Sequence, residues 1–172
     1  MQRFYWLVDG SLAGCSRPGG PERGRVWEAA PEAHIAEDAS RTLESDLTWL
    51  RCQGIGAVLT LTETPLDQDV MERQGLEVLH LPVPDLTAPL PEQFKLALDF
   101  IDWQRSSGRA VAVHCLMGQG RTGAVLAAYL IRSGMDVDDA VGRLRAICPG
   151  AIGSPEQEWA LKAFAARRHW IV

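Results

Sequence analysis

The chain has 172 residues, of which 47% are hydrophobic and 23% are charged, and its formal net charge is −5. This length is typical of a single domain, residues 1–172, and the composition is that of an ordinary globular protein. No apolar run approaches the roughly 20 residues that a membrane-spanning helix requires. The acidic net charge disfavours nonspecific binding to nucleic acid or to an anionic membrane surface.

The cysteine pattern indicates a reducing compartment. Four cysteines stand at positions 15, 52, 115 and 148, and none forms a C-x-x-C pair or a zinc-type cluster with histidine. The first residues, from Met1 to Trp6, lack the long apolar segment of a secretory signal peptide. We therefore expect a cytoplasmic protein without a structural zinc ion.

Short apolar runs alternate along the chain with longer amphipathic segments. Strands are predicted on either side of a Gly turn within 4–14, and at 55–61, 76–83 and 110–114. Helices are predicted at 41–52, 65–74, 91–108, 122–133, 136–147 and 155–168. An exposed, turn-rich loop is predicted at 16–25, and it overlaps a region, 17–38, to which the pattern assigns no role. Strands that alternate with helices predict an α/β fold, with a mainly parallel, twisted sheet flanked by helices.

Two of these helices carry more specific expectations. Pro65 stands where a helix would place its first residue, so it is expected to open the 65–74 helix. In the 91–108 helix, four large apolar side chains are expected near one buried face. They are Phe94, Leu98, Ile101 and Trp103.

The most informative segment is the stretch H-C-L-M-G-Q-G-R-T-G at 114–123. The apolar run 110–113 precedes it and a helical pattern follows, so we predict a strand, a tight loop and a helix N-terminus. Such a loop directs backbone N–H groups inward, and the helix dipole adds positive potential, so the loop binds an anion. The same field stabilises the thiolate of Cys115. The guanidinium of Arg121 matches two oxygens of a phosphate.

Three other phosphate-site motifs fit less well. The stretch contains G-x-G-x-x-G at 118–123, but a dinucleotide-binding fold requires a second strand after the helix, ending in an acidic residue. The acidic residues at about the right distance, Asp136, Asp138 and Asp139, stand at the start of a predicted helix instead. A Walker A loop has lysine where Arg121 stands. A rhodanese-type loop usually has one residue fewer between its cysteine and arginine.

The stretch 114–123 resembles the H-C-x5-R-[ST]-G signature of cysteine-based protein phosphatases at every fixed position. The resemblance is closest to the small, single-domain atypical dual-specificity phosphatases. The segment L-P-V-P-D at 81–85 lies where that family carries its general-acid loop, and 6–14 is similar to the opening strand and turn of its compact members. The resemblance covers nearly the whole chain. It implies the cysteine-phosphatase fold, with a phosphate-binding loop between a strand and a helix.

The resemblance also implies roles for individual residues. Cys115 is the nucleophile, Arg121 binds the phosphoryl group, and Thr122 donates a hydrogen bond to the cysteine sulfur. Asp85 is the general acid, which protonates the leaving oxygen and then activates water. His114 orders the loop without touching substrate. The other substrate-binding residues of the loop are Leu116, Met117, Gly118, Gln119 and Gly120.

Two assignments stay open at the level of the sequence. Gln157 is a candidate for orienting the hydrolytic water, but Glu156 and Glu158 compete with it, and a plain helix cap is an equally good interpretation. Close relatives can carry a carboxylate where Gly153 stands, which weakens the assignment. Glu63, at the end of a predicted strand, is either a partner of the loop arginine or a solvated loop residue.

Together these features imply a phosphomonoesterase that forms a phosphocysteine intermediate and uses no metal or other cofactor. The expected enzyme is a cytoplasmic monomer that acts on phosphotyrosine proteins or peptides, and also on phosphoserine and phosphothreonine. The three prolines of 82–89 restrict the acid loop, which we expect to move less than that of large tyrosine phosphatases. A phosphoinositide or an RNA 5′-phosphate is a disfavoured substrate because Leu116, Met117 and Gln119 are uncharged. A noncatalytic phosphate-binding module is disfavoured because it would need neither Cys115 nor Asp85.

Overall fold

The computed structural model describes residues 3–20 and 43–167. The predicted helix start at 41–42, the loop positions 21–25 and the predicted helix end at 168 lie outside the described residues. The strands are β1 (Phe4–Val8), β2 (Leu12–Cys15), β3 (Ile55–Thr60), β4 (Glu77–His80) and β5 (Ala110–His114). The helices are α1 (described over 43–52), α2 (Gln68–Arg73), α3 (Pro91–Ser106), α4 (Gly120–Arg132), α5 (Val137–Ile147) and α6 (Pro155–Arg167).

The five strands form one sheet in the order β1-β2-β5-β3-β4. Only the β1–β2 pair is antiparallel; β2, β5, β3 and β4 run parallel to one another. The predicted α/β fold with a mainly parallel sheet and flanking helices is therefore confirmed. His114, the last residue of β5, lies opposite Cys15 on one side and Thr60 on the other. The central strand thus ends between two neighbours, at the edge where open parallel sheets bind their ligands.

Both faces of the sheet are buried, because successive side chains of a strand point to opposite faces. In β5, Val111 and Val113 pack into the core beneath α3, α4, α5 and α6. Ala110 and Ala112 pack into the second core, beneath α1 and α2. Helix α4 is buried on nearly all sides, so the helix that starts at the phosphate-binding loop is held firmly in place. None of the described helices has the length and apolar character needed to cross a membrane.

Helix α2 starts later than the proline pattern predicts. Its N-cap is Asp67, whose side chain accepts the N–H of Val70 at 3.0 Å. Capping by a carboxylate satisfies an N–H group that would otherwise lack a partner. Pro65 instead stays in the preceding loop, where its carbonyl accepts a hydrogen bond from Arg17 Nη2 at 3.0 Å. The prediction that Pro65 opens the helix is wrong for this reason.

The expected apolar face of α3 holds for three of its four members. Phe94, Leu98 and Ile101 are buried, whereas Trp103 is 68% exposed. Spacings of four and seven residues keep the first three side chains on one face of the helix. Trp103 follows Ile101 by only two residues, so it projects to the opposite side. Its placement on the buried face was therefore wrong.

Two further boundaries and the burial of one loop differ from the pattern. The predicted 76–83 strand ends at His80, since Pro82 offers no N–H to a ladder. Helix α4 begins two residues before the predicted start, because the carbonyl of Gln119 already accepts the N–H of Gly123 at 2.8 Å. The described part of the 16–25 loop is not exposed. Ser16 and Pro18 are buried, because this segment packs against the phosphate-binding loop.

Candidate active site

The loop between β5 and α4 forms the floor of a cavity of about 240 Å³. The loop and the start of α4 contribute lining residues from 115–121. The rest of the lining comes from 85–86 in the acid loop and from 150–157 at the start of α6. The cavity brings together residues from three distant parts of the sequence. Eight of the candidate residues line it: Asp85, Cys115, Leu116, Met117, Gln119, Gly120, Arg121 and Gln157.

The carbonyl oxygens of the loop are held away from the cavity by partners behind it. Leu116 O accepts the backbone N–H of Arg17 at 3.0 Å, and Met117 O accepts Nη1 of Arg3 at 2.8 Å. Gly118 O accepts the Tyr5 hydroxyl at 2.9 Å. The N–H of a trans peptide points opposite to its carbonyl, so the N–H groups at 117–119 face the cavity. This row of N–H groups is an anion-binding concavity.

Gly118 is required by the backbone of this loop. Its φ is +70°, and a Cβ added there would lie 2.5 Å from the carbonyl carbon and oxygen of Cys15. The Sγ of Cys148 lies 3.8 Å from the same Gly118 carbonyl that Tyr5 contacts. Burial raises the pKa of both Tyr5 and Cys148 above their ordinary values, so both groups stay protonated as donors. Sequence analysis missed these supports, because the Tyr5 contact spans 113 residues of chain.

Cys115 follows the last residue of β5 directly and is buried. Thr122, in the first turn of α4, is also buried, and its Oγ1 has no hydrogen-bond partner among the described residues. The hydrogen bond from Thr122 to the cysteine sulfur, which the resemblance implies, is therefore not formed in this arrangement. Thr122 nevertheless offers a buried hydroxyl whose hydrogen-bonding capacity is unused.

His114 lies under the loop and is fully buried. Its Nδ1 lies 3.2 Å from the carbonyl oxygen of Cys115, and its Nε2 lies 2.9 Å from Oγ1 of Thr60. A carbonyl only accepts, so Nδ1 carries the hydrogen and Nε2 accepts from the Thr60 hydroxyl. Burial lowers the pKa of His114 from 6.5 to about 3, and the neutral ring holds the Cys115 carbonyl. His114 does not line the cavity.

The guanidinium of Arg121 is buried and is held by three acceptors. Nη1 donates to Glu63 Oε2 at 3.0 Å and to the Val83 carbonyl at 2.8 Å. Nη2 donates to Oδ1 of Asp85 at 2.8 Å. The open question about Glu63 is thereby decided, because it pairs with Arg121. These bonds fix the plane of the guanidinium at the wall of the cavity.

Glu63 connects the arginine to the acid loop. Its second oxygen, Oε1, accepts the backbone N–H of Asp85 at 2.9 Å. Burial opposes ionisation of Glu63, but backbone N–H donors and the Arg121 guanidinium outweigh it and hold its pKa below the ordinary value. Glu63 is therefore an anion near neutral pH, and it positions both Arg121 and Asp85.

The acid loop, residues 81–90, is anchored from several elements. Nε2 of Gln93, in α3, donates to the Pro82 carbonyl at 2.8 Å. Nε2 of Gln157, in α6, donates to the Thr87 carbonyl at 3.0 Å. Arg121 holds the Val83 carbonyl of the same loop, as described above. The expectation that this loop moves less than the acid loop of large tyrosine phosphatases stays a prediction.

Gln157 differs from its two acidic competitors. It is buried at the cavity, and its Oε1 has no hydrogen-bond partner among the described residues. Glu158 pairs with Arg145, and Glu156 is exposed on the other side of α6. Gln157 alone of the three therefore combines a place in the cavity with an unused acceptor.

The described residues contain no cluster of three or more His, Cys, Asp or Glu side chains arranged to bind a metal ion. The chemical groups at the cavity are instead a cysteine sulfur, inward N–H groups, a fixed guanidinium and a carboxylate. Such a set defines the phosphate site of a cysteine-based phosphatase.

Comparisons with known proteins agree with this class. Residues 35–135 match the family model described as "Tc-R-P: Polymorphic toxin system, DSP-PTPase phosphatase". The chain is 34% identical over 125 residues to dual specificity protein phosphatase 12 of Rattus norvegicus, which covers 72% of this chain and 37% of that protein. It is 33% identical over 120 residues to protein tyrosine phosphatase type IVA 3 of Bos taurus, and this match covers 67% of this chain and 68% of that protein.

A solved structure, that of Tk-PTP in the active form, superimposes with a TM-score of 0.75 at 31% identity, over 97% of this chain and 99% of that one. The chain belongs to the cysteine-based dual-specificity phosphatase family. The predicted class, a protein tyrosine or dual-specificity phosphatase, is confirmed at this level. The chain spans little more than a third of the length of dual specificity protein phosphatase 12.

Proposed function

We propose that this protein hydrolyses phosphotyrosine in proteins, and also phosphoserine and phosphothreonine, through a phosphocysteine intermediate. The observation that carries the proposal is the convergence of Cys115, Arg121 and Asp85 on one cavity. We further propose that 1–172 acts as one catalytic domain, a cytoplasmic monomer. Its unpaired cysteines and its net charge of −5 support this assignment.

In the first step, the phosphoryl group of the substrate binds against the inward N–H groups of 117–119. Sγ of Cys115 attacks phosphorus, and the bond from phosphorus to the leaving oxygen breaks. Asp85 transfers its proton to that oxygen, so the product leaves as a neutral alcohol or phenol. Arg121 and the N–H groups stabilise the charge on the three equatorial oxygens.

In the second step, water attacks the phosphorus of the phosphocysteine. Asp85, now a carboxylate, accepts the proton of the water, and the phosphorus–sulfur bond breaks. The free Oε1 of Gln157 is suited to accept the other hydrogen of that water. The Thr122 hydroxyl is suited to donate to the departing thiolate, since its Oγ1 is not committed elsewhere in the described structure.

The rim of the cavity supports a substrate with one phosphate. Leu86 and Met117, which line the mouth, are exposed and apolar. A substrate with several phosphates would gain no cation from these side chains. A phosphorylated residue that protrudes from a protein surface, and above all an aromatic one, suits this mouth better.

The test is a measurement of kcat/KM over one panel of substrates at fixed ionic strength. The panel contains phosphotyrosine, phosphoserine and phosphothreonine peptides, an aryl phosphate, a phosphoinositide and an RNA 5′-triphosphate. We expect the phosphotyrosine peptides to be the best biological substrates. If a phosphoinositide or an RNA 5′-triphosphate exceeds every phosphopeptide by tenfold, about 1.4 kcal/mol, the protein substrate is wrong.

A further inference from the structure

A second cavity, of about 190 Å³, lies between the acid loop, α3 and α6. We call it the apolar pocket, since aliphatic and aromatic side chains form most of its lining. Its main walls are Pro89, Leu90, Phe94, Trp159, Ala163 and Phe164. The reaction described above uses none of these side chains.

The apolar pocket is continuous with the active site along two shared elements. In the acid loop, Asp85 and Leu86 line the active site, whereas 88–91 line the apolar pocket. In α6, Gln157 lines the active site and its neighbour Glu156 lines the apolar pocket. The hydrogen bond from Gln157 to Thr87 lies in the wall between them. A peptide whose phosphorylated residue enters the active site therefore reaches the apolar pocket within a few residues of extended chain, at about 3.3 Å each.

The surface that joins the two cavities is unusually apolar. Leu86 and Met117, at the mouth of the active site, are 76% and 49% exposed. Leu90 and Trp159, at the apolar pocket, are 62% and 72% exposed. An apolar patch next to a binding cavity is typical of a surface that contacts another molecule.

Leu86 is also held in a strained conformation. Its φ is +64°, a region that branched side chains avoid. The flanking bonds enforce it, since Glu63 holds the Asp85 N–H and Pro84 O accepts the N–H of Thr87 at 3.2 Å. Strain of this kind persists mainly where it serves a function. Here it directs a leucine outward, between the two cavities.

We propose that the apolar pocket binds a large apolar side chain of the phosphoprotein substrate, within a few residues of the phosphorylated residue. This inference rests on the proposed function and adds a determinant of substrate choice to it. The rim carries one carboxylate and one guanidinium, Glu156 and Arg167, so its charge does not select the occupant. Continuity with the active site, where the phosphorylated residue of a protein binds, favours a side chain of that same protein.

The test uses the full chain and a set of phosphotyrosine peptides. Alanine, leucine, phenylalanine or lysine is placed in turn at each of the four positions on either side of the phosphotyrosine. At one position or more, leucine or phenylalanine should raise kcat/KM about tenfold over alanine. Trp159→Ala should remove most of that preference, and Ala163→Leu, which fills the pocket, should remove it as well.

Trp103→Ala is the matched control, because Trp103 is 68% exposed on α3 and lines neither cavity. It should leave the peptide preference intact. The rate on a small aryl phosphate is also measured for every variant, and each peptide rate is divided by it. A loss of the preference in Trp103→Ala equal to that in Trp159→Ala would overturn the proposal.

Other outcomes also overturn the inference, and they separate its failure from that of the proposed function. Phosphopeptide hydrolysis without any side-chain preference rejects the pocket and leaves the function standing. Hydrolysis of the aryl phosphate but of no phosphopeptide rejects both. If vesicles containing a phosphoinositide outperform its soluble headgroup, and Trp159→Ala abolishes that advantage, the pocket takes an acyl chain instead.

The same measurement tests two other occupants of the apolar pocket, which are the chain's own C-terminal segment and a second copy of the chain. If the preference appears only after residues 168–172 are removed, the chain's own C-terminal segment excludes the peptide and the proposal fails. If the preference disappears as the enzyme concentration rises, a second copy of the chain competes for the pocket and the proposal fails as well.

Discussion

Nη2 of Arg121 and Oδ1 of Asp85 lie 2.8 Å apart, so the arginine proposed to bind phosphate and the proposed general acid contact each other directly. Only an ionised carboxylate forms this ion pair. Nη2 carries two N–H groups and donates one of them to Asp85, so a phosphoryl oxygen bound at the other would lie beside this carboxylate. In the proposed mechanism the negative phosphoryl group weakens this pair, and Asp85 takes up a proton from solvent before it protonates the leaving oxygen.

Asp85→Asn should slow the chemical step without weakening the binding of phosphate. We expect kcat on phosphotyrosine peptides to fall by roughly 10²–10⁴, since a positioned acid contributes about that much. The loss should be much smaller for a nitrophenyl phosphate, whose leaving group needs no proton. Inorganic phosphate should bind this variant at least as tightly as it binds the unchanged protein, because a neutral amide does not repel the phosphate. Asp139→Asn, on the exposed side of α5, is the control and should change neither value.

Cys115→Ser should fold and still bind a phosphotyrosine peptide, but it should show no burst and no turnover, because a serine alkoxide is not available near neutral pH. Single-turnover kinetics and peptide binding measure the two properties separately. Cys52→Ser, at an exposed cysteine, is the control and should keep full activity. More than a few per cent of residual activity in Cys115→Ser would eliminate this residue as the nucleophile.

Arg121→Lys keeps the charge but loses the planar fork that Glu63 and Asp85 hold. We expect kcat/KM to fall by roughly 10²–10³, comparable to the removal of a transition-state donor. Vanadate binding should weaken with it. Glu63→Gln, which leaves Arg121 in place but removes its charged partner, should cost roughly tenfold. A near-normal Arg121→Lys enzyme would show that charge alone suffices.

Gly118→Ala should destabilise the protein, because the added Cβ would lie 2.5 Å from the Cys15 backbone at a φ of +70°. Overpacking and the left-handed conformation together predict a loss of about 2–4 kcal/mol in the free energy of unfolding. Gly142→Ala is the matched control. Gly142 lies within α5 with open space around it, so alanine should add about 0.5–1 kcal/mol. Urea unfolding of both variants checks the contrast.

We expect the folded protein to lose stability in mild acid, because His114 is buried in its neutral form. Its pKa is lowered from 6.5 to about 3 in the folded protein, so below pH 6.5 only the unfolded chain takes up this proton. Falling pH therefore favours unfolding, by about 2 kcal/mol between pH 7 and pH 5 at 1.36 kcal/mol per unit. In His114→Asn the free energy of unfolding should depend less steeply on pH over this range. Equal slopes for the two proteins would contradict the assignment.

The phosphate-binding loop could be predicted from the sequence because its determinants are local. An apolar run, two glycines and a helical pattern within 110–132 are enough to set a strand, a turn and a helix N-terminus. The role of Glu63 could not be assigned, because its contact with Arg121 spans 58 residues. The Tyr5 contact that orients a loop carbonyl spans 113 residues, and no local pattern records it.

The choice among Glu156, Gln157 and Glu158 could not be made from the sequence either. Helical spacing places the three side chains on different sides of α6, but it does not say which side faces the cavity. That depends on how α6 packs against α4, which is a property of the whole core. Only Gln157 turns out to face Cys115's cavity.

The anchored acid loop has a kinetic consequence. Bonds from Gln93, Arg121 and Gln157 order this loop while the protein folds, so its entropy is lost once and not in every catalytic cycle. Within the described residues, this loop needs no closure before the reaction. We therefore expect turnover of phosphotyrosine peptides to change little with solvent viscosity, which a limiting loop closure would not allow.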